Sequence, residues 1–130
     1  MSSIRQTVYN ILIADSPVLA EVSTRIYMPF APSATALPFI VFRSDMTYDS
    51  FTKDNSSKTD AHSVEIDIYH NTMAEADALG KKVYTALQGY TGTASSGNIV
   101  DGCRLTEESE DYDEDLYPIW TQNYEIRLIR

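Results

Sequence analysis

The sequence predicts an α+β domain with a four-stranded, mainly antiparallel sheet and helices packed on one of its faces. In the segment 62–69, three aliphatic residues alternate with polar ones, as they do in a half-buried antiparallel strand. The aliphatic positions are Val64, Ile66 and Ile68. The second observation is the order of the predicted elements, which is helix, strand, strand, helix, strand, strand. At 130 residues, we expect a single domain over 1–130.

The clearest predicted helix follows that strand. Thr72 and Glu75 have the spacing of a capping box, in which a hydroxyl and a carboxylate satisfy free amide groups at a helix start. Gly89 suits the left-handed conformation that ends many helices. Between these signals, apolar residues recur at helical spacing, at Ala76, Leu79, Val83 and Leu87.

Two shorter helices are predicted near the N-terminus. Ser3 and Gln6 form a second capping box, and the helix that it opens has an apolar face made of Ile4, Val8, Ile11 and Leu12. The segment 15–17 contains a proline and interrupts this helix, but proline is well tolerated at a first helical position. A short second helix is therefore predicted over Val18, Leu19 and Val22, followed by a short extended piece at 26–27.

Three further strands complete the predicted sheet. Residues 37–42 are apolar on both faces, as in a central strand, and residues 45–61 are predicted as a long polar hairpin loop. The segment 99–107 is a strand of less regular pattern, with a bulge expected at Asp101–Gly102. The segment 120–128 alternates regularly and forms the last strand.

The charge of the chain is strongly acidic, at −9 from 19 acids and 10 bases. Seven of the nine residues in 107–115 are acids, and we expect them to form an acidic turn. Among the bases, only Lys81 and Lys82 are adjacent, whereas a protein that binds phosphates needs clustered lysine and arginine. Sequence-specific binding of nucleic acid is therefore not expected.

The composition indicates a folded protein with no membrane segment. No apolar run approaches the ~20 residues that span a bilayer. The first residues lack the apolar stretch and cleavage site of a signal peptide. A lone cysteine, Cys103, allows no internal disulfide, which suits a reducing compartment such as the cytoplasm.

Two loops resemble ligand-binding motifs but lack their essential residues. The glycines of 92–97 have the spacing of a phosphate-binding loop, yet Asn98 follows where the motif needs lysine. Asp111, Asp113 and Asp115 alternate like calcium ligands, but the sixth and twelfth loop positions are leucine and glutamine. We interpret both as solvated turns, and predict neither a cofactor nor a metal site.

No arrangement of side chains typical of catalysis is found in the sequence. His62 and His70 lie on one strand, about 26 Å apart at ~3.3 Å per residue, so they cannot share a metal or a reaction. Each is expected to mark a strand end. No nucleophile elbow is present either. The chain is therefore predicted not to be an enzyme.

The aromatic residues of the hairpin loop are the best candidates for partner binding. Tyr48 and Phe51 lie in a polar segment, where the core cannot easily use them. They either contact another protein or fold back over the sheet edge, and the sequence favours neither. The predicted partner-binding residues are Tyr48, Phe51, Lys53 and Asp54.

In the order in which these landmarks occur, the chain resembles the tail-terminator (tail-completion) family of long-tailed bacteriophages. The landmarks are the N-terminal helix with Arg25–Tyr27, the strands at 37–42 and 64–69, the helix to Leu87, the acidic turn and the final strand 120–128. The resemblance implies a homo-hexameric ring in the virion, assembled in the host cytoplasm. Such a ring caps the tail tube, ends its polymerisation and offers a surface to the head–tail connector protein, while DNA passes through it.

Two other functions remain open from the sequence. One is a head-to-tail connector of the neck, and the other is an acidic binding module or inhibitor that masks a basic partner. A six-fold ring would favour the terminator, a different ring number the connector, and a monomer with a basic partner the third.

Overall fold

The computed structural model describes residues 4–28, 30–32, 35–48, 59–93 and 99–129, without the side chains of 45–48, 59–60 and 128–129. This part of the chain contains three helices and six strands. The helices are α1 (Ile4–Ala14), α2 (Ser16–Val22) and α3 (Met73–Leu87). The strands are β1 (Ile26–Tyr27), β2 (Phe39–Tyr48), β3 (Thr59–Tyr69), β4 (Gly92–Thr93), β5 (Ile99–Tyr112) and β6 (Pro118–Ile129).

The strands form one mixed sheet in the order β1-β2-β3-β6-β5-β4. β1 pairs with β2 in parallel, and the other neighbours are antiparallel. The α+β class is confirmed, but the prediction of four strands was wrong, because β1 and β4 add one short strand at each edge. β1 coincides with the short extended piece predicted at 26–27, whereas β4 has only two residues, too few for side-chain alternation to reveal it in the sequence.

The long strands extend further than their sequence pattern predicted. β2 and β3 pair from Phe39 opposite Tyr69 to Tyr48 opposite Asp60, so residues 45–48 and 59–61 at the two ends of the segment predicted as a loop belong to strands. Likewise, β5 continues to Tyr112, and the acids of 107–112 are strand residues paired with β6 rather than a turn. Backbone hydrogen bonds to the neighbouring strand hold these polar residues in a strand conformation. Such pairing depends only weakly on the β-propensity of the individual residues.

The bulge predicted at Asp101–Gly102 is confirmed. The register of β5 against β6 shifts between Val100 and Gly102, and again between Leu105 and Glu107. Each shift places an extra residue in β5, which bends the strand and increases its twist.

Side-chain caps fix the starts of two helices, and the predicted cap residues of α3 are confirmed. The Thr72 Oγ1 accepts a hydrogen bond from the Glu75 backbone N–H at 3.2 Å, and its hydroxyl donates to the Glu75 carboxylate at 3.0 Å. Asp15 caps α2 by accepting from the Val18 N–H at 3.3 Å. Gly89 follows α3 with a φ of 75°, as its left-handed role requires. Ser3, the first residue of the other capping box, lies outside the described residues.

The core lies between the helices and one face of the sheet. α3 packs on β3, β5 and β6, whereas α1 packs on β2. The largest fully buried side chains are Tyr124, Ile4, Leu12, Ile40, Ile66, Ile68, Leu79, Leu87 and Ile126. Ile11, predicted to face the core, packs against it only partly buried. The alternation of β3 is confirmed, because its aliphatic residues belong to this cluster.

A polar contact fixes α3 to the sheet within this core. The buried Gln122 Nε2 donates to the Gly80 carbonyl oxygen at 2.9 Å, and the Tyr124 hydroxyl donates to Gln122 Oε1 at 3.0 Å. Gly80 also lies against the indole of Trp120, so closely that a Cβ atom would be 2.6 Å from Trp120 Cδ1. The absence of a side chain at Gly80 therefore permits the helix to approach the sheet.

A candidate interaction surface on the open face of the sheet

The face of the sheet opposite the helices, here called the open face, carries the polar side chains of the alternating strands. Arg43 of β2 is opposite Glu65 of β3, and Val41 is opposite Asp67. Thr121 of β6 lies opposite Asp67 on its other side. The residues that the sequence assigned to the wet face of β3 are thus brought together with their neighbours on β2 and β6.

One cation connects two carboxylates at the centre of the open face. Arg43 Nη2 lies 2.7 Å from Glu65 Oε2 and 3.2 Å from Asp67 Oδ2. Thr121 donates its hydroxyl to Asp67 Oδ1 at 2.8 Å. Burial raises the pKa of Asp67 to about 6, while the Thr121 hydrogen bond and the Arg43 charge act in the opposite direction. The hydrogen bond and the charge of Glu65 raise the pKa of Arg43.

Three aromatic rings continue this face towards the β1 edge. Phe39 stacks on Tyr69 with ring centroids 4.5 Å apart, and Tyr27 meets Phe39 edge-on at 6.5 Å. Burial, together with the charges of Asp67 and Asp113, raises the pKa of the Tyr69 phenol. This phenol therefore stays protonated at neutral pH.

A groove of about 820 Å³ lies beside these rings. One wall is the segment between β1 and β2, and the other is the turn between β5 and β6. The described residues that line it are Phe30, Ala31, Pro32, Thr35, Leu37, Phe39, Val41, Arg43, Asp67, Tyr69, Asn71, Asp113, Asp115 and Tyr117. We call it the open-face groove.

The turn at the end of the β5–β6 hairpin is held by its own acidic residue. Asp113 Oδ1 accepts hydrogen bonds from the Asp115 N–H at 3.0 Å and the Tyr117 N–H at 2.8 Å. The Leu116 N–H donates to the Asp113 carbonyl at 2.9 Å. The Asp113 carboxylate thus closes the turn that follows β5. Within the described ranges, no group of three or more His, Cys, Asp or Glu could hold a metal ion.

Leu116 is unusual both in its backbone and in its exposure. Its φ is 65°, in the left-handed region that leucine rarely adopts, and its side chain is 76% exposed. Tyr112 and Tyr117 on either side of the turn are also exposed. The tip of an acidic hairpin therefore presents apolar side chains to its surroundings.

The two histidines lie in different surroundings. His62 is buried on the core side of β3, and the prediction that it marks a strand end was wrong, because β3 begins at Thr59. His70 follows the end of β3, is buried, and accepts at Nδ1 from the Asn71 N–H at 2.8 Å. Its other nitrogen lies 3.8 Å from Glu21, which also pairs with Lys82 at 2.9 Å. This cluster joins α2, β3 and α3.

Cys103 is buried in the core, and burial raises the pKa of its thiol to about 12. A thiol with so high a pKa remains protonated and unreactive at neutral pH. Among the described helices, none is both long and apolar enough to cross a bilayer.

The partner-binding residues predicted from the sequence remain a prediction. Tyr48 is the last residue of β2, and its side chain is not among those described. Phe51, Lys53 and Asp54 lie outside the described residues. The open-face groove was not predicted, because its walls come from segments far apart in sequence. Only the exposed positions of β3 could have pointed to part of it.

A sequence model of the family "Tail completion protein gp17" matches residues 6–128. The chain therefore belongs to the tail completion protein gp17 family. It is a structural protein of a phage tail, associated with the virion. The resemblance inferred from its sequence landmarks is thereby confirmed.

The fold is also found in a solved virion. A chain of the structure described as "Virion of native gene transfer agent (GTA) particle" is 19% identical, with a TM-score of 0.80. The match covers 98% of this chain and 95% of that one, so the fold is shared over nearly the whole length. No curated protein matches the sequence significantly.

Proposed function

We propose that this protein is a tail terminator. Copies of the chain form a closed ring, a hexamer, that caps the tail tube, ends its polymerisation and provides the surface to which the head–tail connector protein binds. The observation that carries this proposal is the tail completion family match over residues 6–128. The ring assembles in the host cytoplasm and becomes part of the virion.

The edges of the sheet support assembly into a ring. Beyond Val100, no strand in the described part of the chain pairs with the outer edge of β5. The end of α3 shields part of this edge, since Gly89 donates to the Cys103 carbonyl at 2.8 Å and Gln88 accepts from the Leu105 N–H at 2.8 Å. For 107–112, the described residues provide strand pairing from β6 alone, and a neighbouring subunit in a ring can cover the other edge.

The charge of the chain supports passage of DNA through such a ring. At a net charge of −9, a ring of several copies repels the phosphate backbone and leaves DNA free to slide. The exposed apolar side chains at the hairpin tip support binding to other tail proteins, because exposed aromatic and aliphatic side chains are typical of interface centres.

The proposal is tested by measuring the mass of the assembly. Light scattering of the purified chain alone, and then with tail tube protein, should reveal a six-fold species at least in the second sample. Electron microscopy of the mixture should place that species at one end of the tube. A chain that stays monomeric under both conditions would contradict the ring.

The same measurement separates the alternative functions. A ring with a different copy number that binds the portal side would favour a neck connector. A monomer that binds one basic protein would favour an acidic binding module. A monomer that assembles only on tubes would support the terminator, because termination requires that rings do not form too early.

A further inference from the structure

The open-face groove has a composition that fits a particular kind of partner. We propose that it binds an extended segment of another protein that carries arginine or lysine side chains. This proposal goes beyond ring formation, because it concerns a face of the single subunit and can be tested on the isolated chain.

The charge of the lining favours a cation. Three carboxylates, those of Asp67, Asp113 and Asp115, contribute to the described lining, against one cation, Arg43. That cation is already shared between Asp67 and Glu65, at 3.2 Å and 2.7 Å. The groove therefore keeps an excess of negative charge that an incoming guanidinium or ammonium group can offset.

The aromatic side chains of the groove favour the same ligand. Phe30 is 78% exposed and Tyr117 is 45% exposed, and the stacked rings of Phe39 and Tyr69 line the same groove. Cations bind over the faces of such rings, and the aliphatic stems of arginine and lysine pack against apolar surface. Carboxylates beside exposed aromatic rings thus match both parts of these side chains.

The size of the groove favours a peptide segment over a single ion. A volume of about 820 Å³ is comparable to sites that hold ligands of several hundred daltons. Second copies of the chain fit less well, because each copy carries a net charge of −9 and is repelled by an acidic groove. The best match is a basic segment of a different protein.

The test uses a defined probe. The peptide acetyl-Gly-Arg-Tyr-Arg-Gly-amide is titrated into the isolated chain by calorimetry, with the corresponding Gly-Glu-Tyr-Glu-Gly peptide as the comparison. We expect the arginine peptide to bind and the glutamate peptide not to bind. The amide resonances that shift on binding should be those of Arg43, Asp67, Tyr69 and Tyr117.

A matched pair of variants tests the position of the site. Asp113→Asn with Asp115→Asn removes two charges from the groove, while the amide oxygen of the first substituted side chain can still accept the hydrogen bonds of the turn. Glu108→Gln with Glu110→Gln removes two charges from the same hairpin outside the groove lining. The first pair should weaken binding by roughly fivefold, and the second should change it by less than about twofold.

Several results would overturn the proposal. These are no binding of the arginine peptide, equal binding of the glutamate peptide, equal weakening by both variant pairs, or shifted resonances confined to the helices. A change of oligomeric state in the groove variants without peptide binding would assign the groove to self-association instead. If the groove variants do not fold, the resonances that shift in the unaltered chain still decide whether the peptide binds in the groove. Because no tail protein is present, failure here leaves the terminator proposal unaffected.

Discussion

Asp67 links a single side chain to the pH dependence of folding. Its pKa is raised by burial to about 6, whereas an aspartate in an unfolded chain titrates near 3.9. Between these values the folded state binds more protons than the unfolded state. The stability that Asp67 contributes is therefore present at low pH and is lost as the pH rises through about 6.

We expect the loss of stability with rising pH to disappear in Asp67→Asn. The Asn side chain can still accept from Thr121, and Arg43 keeps Glu65 as a partner. When the pH is raised from about 5 to about 7.5, the free energy of unfolding of the variant should rise by about 1 kcal/mol relative to that of the unaltered chain. Urea denaturation at the two pH values measures this, with Glu110→Gln as an exposed control. A difference between variant and parent that does not change with pH would show that Asp67 titrates normally.

Gly80 illustrates a competition between helix propensity and packing. Alanine in place of glycine within a helix normally stabilises by about 1 kcal/mol. At this position, however, the added Cβ would lie 2.6 Å from Trp120 Cδ1 and 2.8 Å from Nε1, so the indole or the helix must move. Overpacking of this kind costs about 1–3 kcal/mol, which is the larger effect.

Gly80→Ala should therefore lower the free energy of unfolding by about 1 kcal/mol. Ala78→Gly, at an exposed position of the same helix, measures the propensity term alone and should also destabilise by about 1 kcal/mol. Denaturant titration of both variants makes the comparison. A more stable Gly80→Ala variant would show that the indole can shift without penalty.

At the scale of elements, the β5–β6 hairpin combines a long ladder with a turn that is not optimised for stability. Leu116 adopts a left-handed φ of 65°, a conformation that glycine adopts without strain and that costs other residues about 1–2 kcal/mol. Its side chain is largely exposed, so burial within the subunit does not offset that cost. A side chain kept under these conditions is well explained by contact with another protein.

Leu116→Gly should stabilise the isolated subunit by about 0.5–1 kcal/mol, because the backbone strain is released. Thermal melting measures the effect, which should raise the Tm by a few degrees. Leu116→Ala is the matched control, since it removes the side chain but keeps the strain, and it should melt like the parent. If both variants melt like the parent, the turn is not strained.

Comparison of the elements shows which signals in the sequence were sufficient to predict a helix or a strand. β3 and α3 were predicted closely, because alternation and capping are local properties of consecutive residues. The acidic part of β5 was predicted as a turn, since its strand structure depends on pairing with β6 and not on its own composition. β4 was missed because its pairing with β5 involves only two residues.

The open-face groove could not be predicted from the sequence, because it is formed by residues that are far apart along the chain. Its carboxylates come from β3 and from the turn after β5, and its exposed aromatic residues come from the segment before β2 and from that same turn. Nothing local in the sequence indicates that Asp67 and Asp113 share a surface. The sequence left an acidic module with a basic partner open as one alternative, but the position of the surface required the fold.

At the scale of the whole molecule, we propose that the segment joining β2 to β3, with Tyr48 and Phe51, contacts the tail tube. Tyr48→Ala combined with Phe51→Ala should weaken docking by about 2 kcal/mol or more, roughly thirtyfold in affinity, because interface energy concentrates in a few large side chains. The expected result is tails of uncontrolled length, or tails that fail to join heads, as seen by electron microscopy.

Thermal melting of the same variant provides the control for folding. An unchanged Tm together with normal, head-joined tails would exclude this segment as the contact surface. A variant that unfolds would instead show that the two aromatic side chains support the domain itself.

The packing of Trp120 against Gly80 has a practical consequence for all of these measurements. Trp120 is the only tryptophan of the chain, and it lies at the contact between α3 and the sheet. Its fluorescence therefore reports on the contact between that helix and β6. Because Trp120 is absent from the groove lining, a change in its fluorescence indicates unfolding at this contact rather than occupation of the groove by a ligand.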